Sequence, residues 1–362
     1  MFTKYTMKLE DFGYNEKIEK LRNENDLLEF EIGRVIAEHK ERYIVKTEKG
    51  DFEAEITGNL RFSAISRKDY PAVGDWVSLM TYDSDFAVIH KIIPRVSIIS
   101  RQAVGLYGEI QIIATNIDFG LIVQSLDRDF NINRIERYLT ICYSSKVSPM
   151  IILTKTDLID EHSLKEIIDS INLRLSNIPV IAVSNITNDG YDALKKVIQK
   201  GKTYCLLGSS GVGKSTIINS LSGKSIMKTG SISESTSKGK HITSHRELII
   251  LESGGILIDN PGMREVGIVD HEQGLETTFD LIFSLAENCR FNDCTHTSEK
   301  GCAVIEALEN GNIDSSVYEN FKKLQREKSF FETSELDKRK KDKIFGKILK
   351  DYLKKDVKGK NF

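Results

Sequence analysis

The chain has 362 residues, 40% of them hydrophobic, enough to bury a sizeable core in two or three domains and to exclude a disordered chain. Its 51 Lys and Arg nearly balance 53 Asp and Glu, and the formal net charge of −2 excludes a uniformly basic nucleic-acid binder, so any such surface has to be a local patch. Residues 1–20 hold no apolar run resembling a signal peptide, and nowhere are there about eighteen consecutive apolar residues to span a bilayer; a soluble, cytoplasmic chain without membrane association is expected.

Residues 7–30 read as a short charged helical lead-in, and residues 1–29 as an extension with no chemistry of its own. From residue 30 to 104 the pattern turns to short β-rich runs at 33–37, 43–47, 52–56, 75–79 and 87–91, separated by turn residues such as Lys49-Gly50-Asp51. Five short strands in this span predict a small OB-type β-barrel. Such a barrel either binds oligonucleotides or merely packs against its neighbour, and composition does not separate the two.

Residues 105–271 alternate between strand and helix patterns. Strands are predicted at 119–123, 150–153, 179–183 and 204–207, helices at 134–143, 163–175 and 191–199, and a hairpin of 248–251 with 255–258 around Ser253-Gly254. This predicts a mostly parallel, doubly wound sheet with its ligand at the C-terminal ends of the strands.

The first motif, Thr154-Lys155-Thr156-Asp157, ends a strand. A carboxylate there, Asp157, can accept hydrogen bonds from guanine N1–H and the 2-amino group, while the Lys155 stem covers the base. Thr154 stands where Asn is usual in such a loop, which weakens or alters one base-side bond. Ser184-Asn185 follows the next strand and is placed for a backbone contact to the guanine oxygen.

Gly208-Ser209-Ser210-Gly211-Val212-Gly213-Lys214-Ser215-Thr216 is a phosphate-binding P-loop. Its glycines let backbone N–H groups face phosphates, Lys214 bridges the outer ones, and Ser215 ligates Mg²⁺. In Lys238-Gly239-Lys240-His241-Ile242-Thr243, Thr243 is the candidate to complete Mg²⁺ coordination or a plain loop threonine. Asp259-Asn260-Pro261-Gly262 places a carboxylate toward Mg²⁺ and a glycine N–H toward the γ-phosphate. Met263 follows, and a thioether cannot orient water. His241 is therefore the catalytic candidate beside Lys214, or else a solvated loop histidine.

Residues 272–362 read as a mainly helical domain. Cys289, Cys294, His296 and Cys302 supply three thiolates and an imidazole in a compact span, the donor set of a closed structural zinc site. Cys142 and Cys205 read as core residues, and none of the five cysteines is expected in a disulfide. Residues 334–355 carry Ile344, Phe345, Ile348, Leu349 and Leu353 at helical spacing amid lysines, a basic amphipathic helix. From Lys338 to Phe362 eleven Lys/Arg face three Asp, which leaves the rest of the chain near −10.

The order of motifs is base-reading loop, P-loop, switch I, switch II, whereas an ordinary P-loop GTPase places the base-reading loop last. The chain is thus circularly permuted, spliced at Lys200-Gly201-Lys202. This order, together with Asn133-Arg134-Ile135-Glu136-Arg137-Tyr138-Leu139 and the Cys₃His spacing, resembles the ribosome small-subunit-dependent GTPase A family, also called RsgA or YjeQ, over about residues 30–330. Ile242 departs from the paired threonines of that family's switch I. The resemblance implies a monomeric GTPase that uses GTP and Mg²⁺, carries one zinc ion, binds the small ribosomal subunit and its rRNA late in assembly, and is stimulated by that subunit. The alternative reading is a GTP-regulated switch whose barrel and zinc domains bind protein instead of rRNA.

Overall fold

Gly13 divides the expected lead-in helix. Its φ of 93° ends a 3₁₀ turn over Leu9–Phe12, and helix α1 (Glu16–Glu24) starts afresh on Asn15, whose side chain accepts the N–H groups of Lys17 and Ile18 at 3.0 and 3.3 Å. The computed structural model describes residues 7–39, 42–102, 110–127, 130–175, 177–223, 247–259 and 272–330. Phe12, Ile18 and Leu27 are buried against Trp76 and Ile93, so the lead-in is part of a core and not an appendage.

The barrel is made of β1 (Glu31–His39), β2 (Arg42–Thr47), β3 (Gly50–Ile56), β4 (Trp76–Thr81) and β5 (Phe86–Ile92). They run in the order β1-β2-β3-β5-β4 and close by pairing β4 with β1, the topology the five short runs predict. In β3 exposed and buried residues alternate from Asp51 onward, with Phe52, Ala54 and Ile56 inward. A Cβ on Gly33 would lie 2.4 Å from Val45 Cγ1, so β1 crosses the barrel interior only with glycine there. A short helix, α2 (Gly58–Ser63), not expected from the sequence, links β3 to β4. Strands β6 (Ile98–Gln102) and β7 (Ile110–Thr115), also unforeseen, pair as a separate antiparallel ribbon.

The central domain follows: β8 (Phe119–Ser125), α3 (Ile132–Ser144), β9 (Ser148–Thr154), α4 (Glu161–Arg174), β10 (Val180–Ala182), α5 (Tyr191–Val197), β11 (Thr203–Leu207), α6 (Lys214–Ser222), β12 (Glu247–Ile250) and β13 (Ile256–Asp259). The strand order is β10-β9-β8-β11-β13-β12, parallel as far as β13. Strand β12 is antiparallel to β13 and pairs on its other side with β1, Ala37 opposite Glu247, so barrel and α/β sheet form one eleven-stranded sheet.

The last part holds α7 (Glu272–Thr278), α8 (Asp280–Ala286), α9 (Ala303–Glu309) and helical residues 315–330 around Leu275, Phe279, Ile282, Val304, Phe321 and Leu324. The predicted helix over 334–355 lies outside the described residues.

The permutation splice is short because its ends touch. Gly201 N donates to Gly254 O at 2.8 Å, and Lys200 Nζ lies 2.8 Å from Asp11 of the lead-in. Nearby, the buried Arg34 guanidinium donates to the carbonyls of Phe12 (2.5 Å), Gly74 (3.3 Å) and Asn116 (3.1 Å) and to Thr203 Oγ1 (3.0 Å), and it stacks 5.5 Å from the Trp76 ring centroid. Burial pulls its pKa down to about 10, opposed by Asp118 and Asp75, so it is charged at neutral pH. Arg34→Met keeps the stem and takes a donor from the carbonyls of Phe12 and Asn116, while Gly74 O keeps the Asn116 amide at 3.0 Å; stability toward urea should fall by about 2–5 kcal/mol. Fluorescence of Trp76, the chain's single tryptophan, reads the transition, and an unchanged midpoint would deny Arg34 this role.

Candidate functional site

Strand β11 is buried along its whole length and feeds the chain into the glycine loop at the C-terminal end of the parallel sheet. Gly208 has φ 153°, and a Cβ there would meet Val123 O at 2.4 Å, so the loop presses against β8. Gly213 has φ 97° and stands at the start of α6 with no side chain capping it, which leaves that helix's first N–H groups open to an anion. Lys214 Nζ donates to the carbonyls of Gly208 at 2.8 Å and Ser209 at 2.5 Å, so the ammonium is folded over the loop it serves. Ser210 and Gly211 are exposed at the tip, while Ser215 and Thr216 are half-buried at the helix start.

The loop after β9, expected from the sequence to read the base, is joined directly to this loop. Thr154, fully buried at the end of β9, donates its hydroxyl to Val212 O at 2.6 Å. The replacement of Asn by Thr thus still ties the two motifs together. Lys155 adopts the left-handed conformation, φ 60°, and turns the chain out of the strand; its Nζ pairs with Asp127 at 2.6 Å. Asp157 is exposed, and its Oδ1 accepts the Ser184 hydroxyl at 2.6 Å. Ser184 in turn accepts the N–H groups of Ile186 and Thr187, both at 3.1 Å, so the carboxylate is oriented through a fixed turn. Asn185 accepts the Tyr191 hydroxyl, and a Cβ on Gly213 would come 2.9 Å from its Nδ2.

Asp259 ends β13 at 5% exposure, one residue past the Cys205–Ile258 pairing, and so lies at the same sheet edge as the glycine loop. His241, Thr243, Gly262 and Met263 lie outside the described residues. The sequence reading missed Asp127. Its signal was its place just after β8, next to β9, at the edge where ligands of such sheets sit.

Cys289, Cys294, His296 and Cys302 converge, all four ligand atoms within 4.8 Å of one another. Cys289 Sγ lies 3.8 Å from Cys302 Sγ and 3.6 Å from His296 Nδ1, which lies 3.4 Å from Cys302 Sγ. A tetrahedral zinc ion, with bonds of about 2.3 Å to sulfur and about 2.0–2.1 Å to nitrogen, requires edges of about 3.8 and 3.5 Å, so the donor set fits. Burial, and Lys322 nearby, hold the imidazole below its ordinary pKa, in the neutral form a metal needs. The loop is stapled by Glu299, whose carboxylate accepts the N–H groups of Thr295 and Thr297, each at 2.8 Å. Tyr318 donates to His296 O at 2.5 Å and Lys322 to Thr295 O at 2.8 Å, tying the loop to helical residues 315–330.

The model of the RsgA GTPase family matches residues 92–269. The small ribosomal subunit biogenesis GTPase RsgA 2 of Listeria monocytogenes is 44% identical, over 89% of this chain and 92% of its own length. The RsgA 1 protein of Bacteroides thetaiotaomicron is 38% identical, over 95% and 96%. Among solved structures, YjeQ from Thermotoga maritima shares the fold at a TM-score of 0.61 and 24% identity, covering 81% of this chain and 96% of its own. YloQ, a circularly permuted GTPase, does so at a TM-score of 0.58 and 24% identity, covering 85% and 96%. With the permuted loops, the closed barrel and relatives of this identity matched along most of their length, the chain belongs to the RsgA GTPase family.

Proposed function

We propose that the chain hydrolyses GTP as a factor in biogenesis of the small ribosomal subunit, that the subunit stimulates this hydrolysis, and that rRNA meets the barrel and the basic C-terminal residues. The observation that carries the nucleotide reading is the bond from Thr154 to Val212, which holds the base-reading loop against the phosphate loop. A guanine nucleotide spans the two: its base over Lys155 and against Asp157, Ser184 and Asn185, its phosphates along Gly208, Ser209, Ser210, Gly211, Val212, Gly213 and Thr216.

Lys214 leaves the loop carbonyls for the outer phosphates, exchanging two neutral acceptors for charged ones. Ser215, Thr243 and Asp259 would hold Mg²⁺, whose charge would offset that of the phosphates, and Gly262 would offer its N–H to the γ-phosphate. Met263 cannot place the attacking water, and we assign that task to His241. The Cys₃His set would hold one structural Zn²⁺, its four donors leaving no open position for catalysis. No helix among the described residues is long and apolar enough to cross a membrane. We infer a cytoplasmic monomer from the place of its relatives in small-subunit biogenesis.

Asp157→Asn should weaken GTP binding about 100-fold, by removing a charged acceptor of two hydrogen bonds, and should shift preference toward xanthine nucleotide. Competition titrations measure this, and equal competition by ATP and GTP against the unmutated protein would refute the site. Protein purified without chelator should carry one zinc per chain by elemental analysis. Stripping it should speed hydrogen exchange in residues 272–330 and leave nucleotide binding weakened but retained.

His241→Ala should lower subunit-stimulated turnover about 100- to 1,000-fold with GTP affinity nearly intact, because the group acts in the transition state. Full stimulation of that variant would transfer the water-placing role elsewhere. Binding to purified small subunits should fall steeply with added salt if rRNA phosphates are the contact, and salt-insensitive binding would point to protein contacts instead.

A further inference from the structure

The two loops expected to read the base each bring a side chain to Gly213, at the start of α6. A Cβ on Gly213 would lie 2.9 Å from Asn185 Nδ2 and 3.7 Å from Thr154 Oγ1, so an amide and a hydroxyl flank one point beside the glycine loop. Only a glycine leaves that point open. Thr154 has no amide to offer there, and its single hydroxyl proton goes to Val212 O at 2.6 Å. The Asn185 amide stands near it in space, although it comes from the loop after the next strand, β10.

The direction of that amide is set by the turn that carries it. Ser184 Oγ accepts from Ile186 N and Thr187 N, both at 3.1 Å, while Ser184 N donates to Asp189 O and Asn188 N donates to Ser184 O, both at 3.0 Å. The backbone around residue 185 is thereby closed on itself. From α5, Tyr191, 3% exposed, donates its hydroxyl to Asn185 Oδ1. The oxygen and the NH₂ group of a primary amide diverge from one carbon, so holding the oxygen at Tyr191 turns the NH₂ group toward Gly213.

We propose that the Asn185 side-chain amide donates to N7 of the guanine ring, supplying from a second loop the donor that threonine at position 154 lacks, and that Tyr191 is the positioning residue that aims it. The proposal rests on the nucleotide site assigned above. With N1–H and the 2-amino group at Asp157 and the phosphates along the glycine loop, the five-membered ring of the purine, which carries N7 and joins the ribose, has to lie between the two. The amide stands on that middle ground. Guanine presents two acceptors on this edge, O6 and N7; the backbone after Ser184 is assigned to O6, which leaves N7 for the side chain. Adenine carries N7 as well, so this bond adds affinity without choosing the base. The choice stays with Asp157.

The test uses the full zinc-loaded chain with GDP and with 7-deaza-GDP, in which a C–H group replaces N7, each measured by displacement of a fluorescent GDP. Unmutated protein should bind 7-deaza-GDP about 3- to 10-fold more weakly than GDP, the worth of one hydrogen bond. Asn185→Ala should weaken GDP by the same factor and leave 7-deaza-GDP within about twofold, because the two changes remove one contact from its two ends. Tyr191→Phe keeps the buried ring and releases the amide; it should shrink the gap between the two ligands, which a loss of packing alone would not do. A gap absent from the unmutated chain, or surviving in full in Asn185→Ala, overturns this proposal alone, and a gap unchanged in Tyr191→Phe removes Tyr191 from it. Equal competition by ATP and GTP overturns the nucleotide site itself and this proposal with it.

Discussion

One buried cation holds the molecule's parts in register. Arg34 belongs to the barrel, yet its donors end on the lead-in, on the segment after the β6–β7 ribbon and on the strand that feeds the phosphate loop. A guanidinium is suited to this place because its five donors lie in a fixed plane and can serve several backbone carbonyls at once. Its desolvation is offset by those bonds, by Asp118 and Asp75 and by the face of Trp76. Any slippage between barrel and α/β sheet would leave a charge buried without partners, which makes the arrangement of the two close to all-or-none.

The permuted order places the two segments expected to be switches, 224–246 and 260–271, each between an element of the α/β domain and an element joined to another domain. Residues 224–246 run from α6 to β12, which is paired with the barrel; residues 260–271 run from β13 to α7, which is packed on α3. In an unpermuted arrangement the base-reading loop and its helix would follow switch II. Here the C-terminal domain does, and it begins in α7, the helix packed on α3.

Much of this was legible in the sequence because it is written locally. The glycine loop, the strand-end Asp157, the alternation of β3 and the close spacing of Cys289, Cys294, His296 and Cys302 each declare themselves within a few residues. What escaped depends on partners distant in the chain. Arg34 reads as an ordinary strand residue until Thr203 is found beside it, Asp127 as a loop acid until Lys155 turns toward it, and Glu136 as a helix-surface charge until Arg174 and Asn320 close over it. The lead-in does hold a charged helix, α1, but its docking is not legible, because the three buried anchors, Phe12, Ile18 and Leu27, lie on either side of the break at Gly13 and follow no single helical period.

The pairing of Ala37 with Glu247 is made by backbone groups, so neither domain can lose it through ordinary side-chain drift. Strand β12 would otherwise be the unpaired border of the α/β sheet, and in joining it β1 supplies what a covering helix or a row of lysines supplies elsewhere. The α/β domain expressed by itself would therefore present β12 bare to any other chain, whereas the barrel would remain closed through β1 and β4.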